Sequence, residues 1–307
     1  MSQETIEQTF QVPTPAKLKL ENVRGSVVIQ PAEDGLIRVT AVKHLKTGDA
    51  DQTKIEIEQG DKGEVYVKTR YREGGFFLFR RKPCKIDYLI RVPVECDLKV
   101  SGVSNSASIE GISGKLSIST VSGSLDLNKL SGSLKLTSVS GDLRGESLNG
   151  SLTLETVSGD VSLDESNLTE IYASTVSGDM VMQTQLGSGL YSFNSVSGDV
   201  HLVIPSDTHC TLKYKSISGD LKTSLPGTHS HHGKGQKTIT IGDGSGAEIL
   251  HNSISGDFLL TTTGGDVEEQ YRQVSAPIEN HEDHMVVLER IERGEISVDE
   301  GLRELHS

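Results

Sequence analysis

From Leu18 onward the chain alternates apolar with polar residues, first as Leu18-x-Leu20-x-x-Val23-x-Gly25-x-Val27-x-Ile29. That period of two predicts strands with one buried face. Further alternating runs at 37–42, 55–57, 65–67 and 86–92, separated by Gly, Asp and Lys-rich loops at 46–52 and 59–63, extend β structure to residue 100. From Val103 the alternation becomes a repeat. The apolar residue opening each unit stands at Val103, Ile112, Val121, Leu130, Val139, Leu148 and Val157, a constant spacing of nine, and further copies open at Val176, Val196, Ile217 and Ile254.

In Val121-Ser122-Gly123-Ser124-Leu125-Asp126-Leu127, the two leucines share one strand face, and Gly123 between small polar neighbours supplies a turn with access to positive φ. Each unit reads as one short strand plus one corner, with Val and Leu filling the interior. Two units make one flattened coil, and because a lone short strand cannot bury its apolar face, coils must stack. The predicted fold is all-β, a parallel β-solenoid (β-helix or β-roll) of about eight coils, on the order of 40 Å long at about 4.8 Å per coil. An antiparallel sandwich with strands at the same interval is the alternative. Residues 1–100 begin the solenoid and 101–265 form its body.

Beyond residue 265 the period changes. Residues 266–280 read as a linker. Met285, Leu288 and Ile291 then form a helical stripe, Gly294 ends it, and Ser297-Val298-Asp299-Glu300 is a capping box that opens a second helix carrying Leu302 and Leu305. The expectation for 281–307 is a small helical hairpin, too short to stand alone. Its apolar positions Leu288, Ile291, Leu302 and Leu305 either pack on the β body or contact a partner or a second copy.

Composition narrows the function classes. With 34% hydrophobic residues, 4% aromatic, no Trp and 32 Gly among 307 residues, the core is thin and suits a β repeat better than a helical bundle. A net charge of -13 speaks against nucleic acid as a partner. The opening Met1-Ser2-Gln3-Glu4-Thr5 has no basic or apolar leader character, and no long apolar run follows, so the expectation is a cytoplasmic protein, peripheral at the inner membrane face if it meets a membrane. Cys84, Cys96 and Cys210 are odd in number and far apart, and read as buried small hydrophobes in a reducing compartment.

Candidate chemistry lies mostly where the repeat breaks. In the insertion 70–82, Phe76, Phe77 and Phe79 are collared by Arg80, Arg81 and Lys82 among other basic residues, as a peripheral membrane or partner contact requires. The other reading makes the rings a plug over the core. His229, His231 and His232 in a Gly-rich stretch could ligate a metal, but no Cys or acidic ligand stands at useful spacing, so a polar loop is expected. Calcium binding by a nonapeptide roll wants regular Asp, whereas Asp142, Asp160 and Asp179 alternate with Ser124, Ser133 and Ser151. Thr120, Ser138, Thr156, Thr175 and Ser195 could form an ice- or carbohydrate-binding ladder or simply stabilise the stack. The recurrent Asp residues read as turn residues rather than a catalytic carboxylate cluster. No catalytic residue, cofactor or metal is assigned.

The run Ile86-Asp87-Tyr88-Leu89-Ile90-Arg91-Val92-Pro93 leading into Val-Ser-Gly-Asp-Leu repeats resembles the bacterial YvlB-like β-strand-repeat family, often labelled adhesin or domain of unknown function. The segment from Val287 to Leu302 looks like the SHOCT-like helical module of YvlB and LiaX relatives. The resemblance implies a link to cell-envelope stress and supplies no catalytic residue. Together these readings favour a non-enzymatic interaction scaffold that binds a protein partner or itself. A self-assembling structural rod and a surface adhesin or carbohydrate-active protein are the alternatives.

Overall fold

The computed structural model describes residues 3–32, 35–71, 82–233 and 235–262. The chain divides into two units, Met1–Gly265 and Asp266–Ser307, and all described residues belong to the first. The described strands are β1 (Gln3–Gln11), β2 (Ala16–Ala32), β3 (Leu36–His44), β4 (Thr53–Gln59), β5 (Val65–Tyr71), β6 (Lys85–Pro93) and β7 (Cys96–Glu110). The repeat region contains β8 (Ser113–Ser122), β9 (Leu125–Asn128), β10 (Ser131–Ser140), β11 (Leu143–Glu146), β12 (Asn149–Ser158), β13 (Val161–Ser177), β14 (Met180–Leu186), β15 (Leu190–Ser197) and β16 (Val200–Ile204). Last come β17 (Cys210–Ser218), β18 (Leu221–Thr223), β19 (Gly227–Gly233), β20 (Gln236–Ile241), β21 (Ala247–Ser255) and β22 (Phe258–Thr262). All are hydrogen-bonded into one sheet.

Alternation explains the strands. In β8, β10 and β12 the inward positions Leu116 and Ile118, Leu134 and Leu136, and Leu152 and Leu154 are buried, and the residues between them face outward. The rungs pair in parallel: Leu134 lies between Leu116 and Leu152, each eighteen residues away in sequence. The apolar residues of both faces join one continuous core from Ala16 to Leu260.

Three features correct the expected architecture. The body is not a plain parallel solenoid. The long strands β7 and β13 continue round a corner and pair on both faces, so β7, β8, β10, β12, β13, β11 and β9 close into a seven-strand parallel barrel. Antiparallel pairs finish both ends: β1 with β3, β3 with β6 and β4 with β5 at one, β17 with β20 and β20 with β19 at the other. Finally, the expected helical hairpin is unsupported, because the described residues contain no helix; its positions Leu288, Ile291, Leu302 and Leu305, and the linker 266–280, lie outside the described residues.

Chain order also departs from spatial order. The last rung, β21 and β22, sits between β15–β16 and β17–β18, so the widened spacing between Ile217 and Ile254 marks an inserted rung rather than a simple loop insertion. At the other end β2 lies between β7 and the later strands β5 and β6.

At the corners one glycine stacks on another. Gly141 has φ 139°, and a Cβ there would lie 2.3 Å from the carbonyl oxygen of Gly123. A side chain would therefore meet both backbone strain and a backbone collision. Gly141→Ala is expected to lose about 2 kcal/mol or more in urea unfolding, whereas Gly187→Ala, with nothing within 4 Å of the new Cβ, should be close to neutral. Equal effects of the two substitutions would contradict this account of the corners.

Candidate interaction surface

The repeated phrase Thr/Ser-Val-Ser-Gly-Asp is a corner whose residues divide the work. Its first hydroxyl points inward: Thr120, Ser138, Thr156, Thr175 and Ser195 are all buried. Several close the corner, Ser138 Oγ donating to the carbonyl of Gly141 at 3.4 Å and Ser195 Oγ to that of Gly198 at 3.0 Å. A ladder sealed inside the body offers no surface to ice or sugar, which overturns that reading of these five residues. The closing Asp ties rung to rung. Asp142 Oδ1 accepts the amide of Asp160 at 3.1 Å, and the series continues from Asp160 to Asp179, Asp179 to Asp199, Asp199 to Asp257 and Asp257 to Asp220 at 2.7–2.9 Å. The Asp257 carboxyl is held below its ordinary value chiefly by the Asp220 amide, with Lys222 adding to it against the opposing effect of burial.

Between the inward hydroxyl and the glycine stands the valine, and it points outward. Val103, Val121, Val139, Val157, Val176, Val196 and Ile254 are 43–51% exposed, and Ile217 is 83% exposed. The opening residues of the intervening units, Ile112, Leu130 and Leu148, are at most 1% exposed. The nine-residue units are thus two alternating kinds, and the expectation that every opening Val and Leu fills the interior is wrong for the first kind. Ser140 pairs with Ser122 and Ser138 with Thr120, which sets Val139 in register over Val121. Eight such residues at about 4.8 Å spacing form an apolar ridge about 34 Å long. Strand propensity is shared by Val and Thr, and solvation favours Thr outside; this corner places Thr inside and Val outside.

Of the residues singled out from sequence, Lys82 is exposed and its carbonyl accepts the Asp49 amide at 2.9 Å. Phe76, Phe77, Phe79, Arg80 and Arg81 lie outside the described residues. His229, His231 and His232 belong to the exposed edge strand β19 rather than to a loop. Among the described residues no group of three or more His, Cys, Asp or Glu side chains is placed to hold a metal ion. Cys84, Cys96 and Cys210 are free and buried; burial raises the Cys96 thiol to about 12 and that of Cys210 to about 11, which keeps both protonated.

Two buried polar clusters were not legible beforehand. Asp87 accepts from the amide and hydroxyl of Ser26 at 2.8 and 2.7 Å and pairs with His44 at 2.7 Å and Lys85 at 3.3 Å. Burial pushes this carboxyl up, but Lys85, Ser26 and His44 outweigh it and hold it below its ordinary value. Although Ser, His and Asp meet here, the hydroxyl is bonded to the carboxylate and not to the imidazole, so no nucleophile is activated. The second cluster is His251, fully buried, stacked on Tyr214 at 5.3 Å and tilted against Phe258 at 4.8 Å, with neither ring nitrogen hydrogen-bonded.

Stacked parallel rungs, glycine corners and an outward valine ridge define an all-β repeat protein with an exposed apolar edge. The family model described as Toastrack DUF4097 matches residues 16–261, and the chain belongs to that family. Among solved structures it is similar to a "putative adhesin" from Bacteroides fragilis, at 12% identity and TM-score 0.48, covering 84% of this chain and 97% of the other. It is also similar to a "putative cell adhesion protein" from Clostridium sporogenes, at 12% identity and TM-score 0.29, covering 85% and 100%. A third, a "putative lipid binding protein" from Parabacteroides distasonis, has 10% identity and TM-score 0.34, covering 84% and 96%. Likenesses this distant carry no argument about function. No curated protein matches the chain.

Burial lowers the His251 imidazole from 6.5 to about 4. Between those two values the unfolded chain takes up a proton that the folded core refuses, so stability falls as pH drops through the window, by up to about 3 kcal/mol. His251→Leu is expected to reduce the fall in urea-unfolding free energy between pH 6.5 and 4, leaving a smaller slope from His201, which burial also lowers, and toward pH 4 from carboxyls held low such as Asp87 and Glu21. An unchanged slope in this variant would show that His251 is not the group responsible.

Proposed function

We propose that this protein is a non-enzymatic interaction scaffold whose working surface is the valine ridge. The observation that carries the reading is the inversion at the corner: Thr156, for example, is 7% exposed and the adjacent Val157 46%. Each half-exposed valine forgoes about 1 kcal/mol of burial, which contact with an apolar partner would recover. The partner in this reading is another protein, and the setting is the bacterial cell envelope, as the resemblance to YvlB-like proteins implies. Linkage to envelope stress belongs to the same proposal.

The rod alternative fits the ends less well. Described outer strands include β1, with Glu4 and Glu7 exposed, and β19, exposed at every residue. Polar edges of this kind discourage end-to-end strand pairing.

The test replaces Val121, Val139, Val157 and Val176 by Thr, which keeps the β-branch and adds a hydroxyl. In-cell cross-linking followed by purification should recover a defined protein partner with the wild type and lose it with the fourfold variant. The variant's unfolding free energy should stay within about 1 kcal/mol. Identical partners for both proteins would remove the ridge from the proposal, and filaments in electron microscopy of the wild type would favour the rod.

A further inference from the structure

The outer face of the sheet carries a second feature, independent of the ridge. Strand register aligns Tyr66, Lys19, Lys99, Ser117, Lys135, Thr153 and Tyr172 in one row across β5, β2, β7, β8, β10, β12 and β13. At about 4.8 Å per strand the row is about 29 Å long. Tyr66 and Tyr172, 39% and 49% exposed, flank the five residues between them, and the register continues beyond them to Glu58 and Ser192. Beside it a shallow cavity of about 310 Å³ is lined by Lys17, Lys19, Tyr66, Lys99 and Lys115 together with Glu64 and Asp97.

The cations are unusual for a chain of net charge -13. Lys19 and Lys99 are direct cross-strand neighbours, an arrangement that destabilises a sheet by like-charge repulsion. Lys19 is compensated by Glu21 at 2.8 Å and Lys17 by Glu64 at 3.4 Å. Lys99, Lys115 and Lys135 are exposed and have no carboxylate within salt-bridge distance among the described residues. Asp97, two residues before Lys99 on the same strand, accepts the backbone amide of Lys115 at 2.9 Å. Exposed charges interact over about 8 Å at physiological salt, so Lys99, Lys115 and Lys135 act on a nearby ligand locally despite the acidic whole.

We propose that this row, with Lys115 beside Ser117 on the same strand, binds a linear anionic polysaccharide laid across the strands, its carboxylates or other acidic substituents on Lys99, Lys115 and Lys135 and its rings against Tyr66 and Tyr172. The apolar face of a sugar ring suits an exposed aromatic ring, and Ser117 and Thr153 supply hydroxyl partners between the cations. Single-stranded nucleic acid fits less well, because successive bases need successive aromatic platforms and the five positions between the tyrosines contain none. An anionic membrane fits less well too, because the two exposed rings stand about 29 Å apart with no apolar side chain among the cations between them.

The full chain should bind a fluorescently labelled linear oligogalacturonate in an anisotropy titration, with affinity falling as salt is raised, and should not bind an uncharged glucan of equal length. Lys99→Ser, Lys115→Ser and Lys135→Ser combined should weaken that binding by about tenfold or more. Tyr66→Ser with Tyr172→Ser should weaken it without changing its salt dependence, and the Val→Thr ridge variant should bind normally. Thermal unfolding of the variants matched to the wild type confirms that the surface alone has changed. Absence of oligogalacturonate binding, binding undiminished by the lysine substitutions, or tighter binding of oligothymidylate or phosphatidylglycerol vesicles would each overturn the proposal.

Discussion

The structure rests on backbone stacked directly on backbone at the glycine corners. Gly141 lies on Gly123, Gly159 on Gly141 and Gly178 on Gly159, each so close that a Cβ would fall 2.3–2.4 Å from the carbonyl oxygen below. With no side chain to separate them, successive rungs keep strand-pairing distance even where the chain turns. Every ladder described above depends on that contact. Inward hydroxyls, outward valines and aspartates that accept the next amide stay in line because the corners beneath them do.

The same constraint separates two kinds of surface. Along the corner the side chains are nearly identical from rung to rung, which makes a uniform apolar ridge suited to one extended partner. Across the flat face the outward residues vary between rungs, so Lys19, Lys99 and Lys135 can share a row with two tyrosines while their neighbours remain hydroxylated. A repeat scaffold can thus hold its geometry fixed and change its surface chemistry one residue at a time.

The interior shows where repetition gives way. Over most of the body the core is Leu, Ile and Val, but toward the inserted last rung it turns aromatic, with Phe193, His251, Tyr214 and Phe258 in contact. An uncharged imidazole fills an aromatic position there, at the cost of acid sensitivity. At the opposite end Asp87 gathers Ser26, His44 and Lys85 where β2, β3 and β6 meet. Both clusters depend on residues far apart in sequence, Tyr214 and His251 by 37 positions and Ser26 and Asp87 by 61, beyond the reach of any local pattern.

The alternation of Leu116, Ile118, Leu134 and Leu136 determined by itself that these segments are strands and which of their faces is inside, because side chains in a strand alternate with period two. The glycine in each Val-Ser-Gly phrase likewise determined where the chain turns. Only the tertiary structure decided that Val121 and Val139 face solvent while Leu130 and Leu148 are buried, since both kinds of corner open with an apolar residue nine positions apart and what separates them is the backbone, left-handed at Lys129 and Ser147 just before the leucines. Only it decided that β21 enters between β15 and β17, and that lysines from β2, β7 and β10 share one row. Spatial neighbours across rungs are chosen by hydrogen-bond register, and register is a property of the assembled sheet rather than of any single segment.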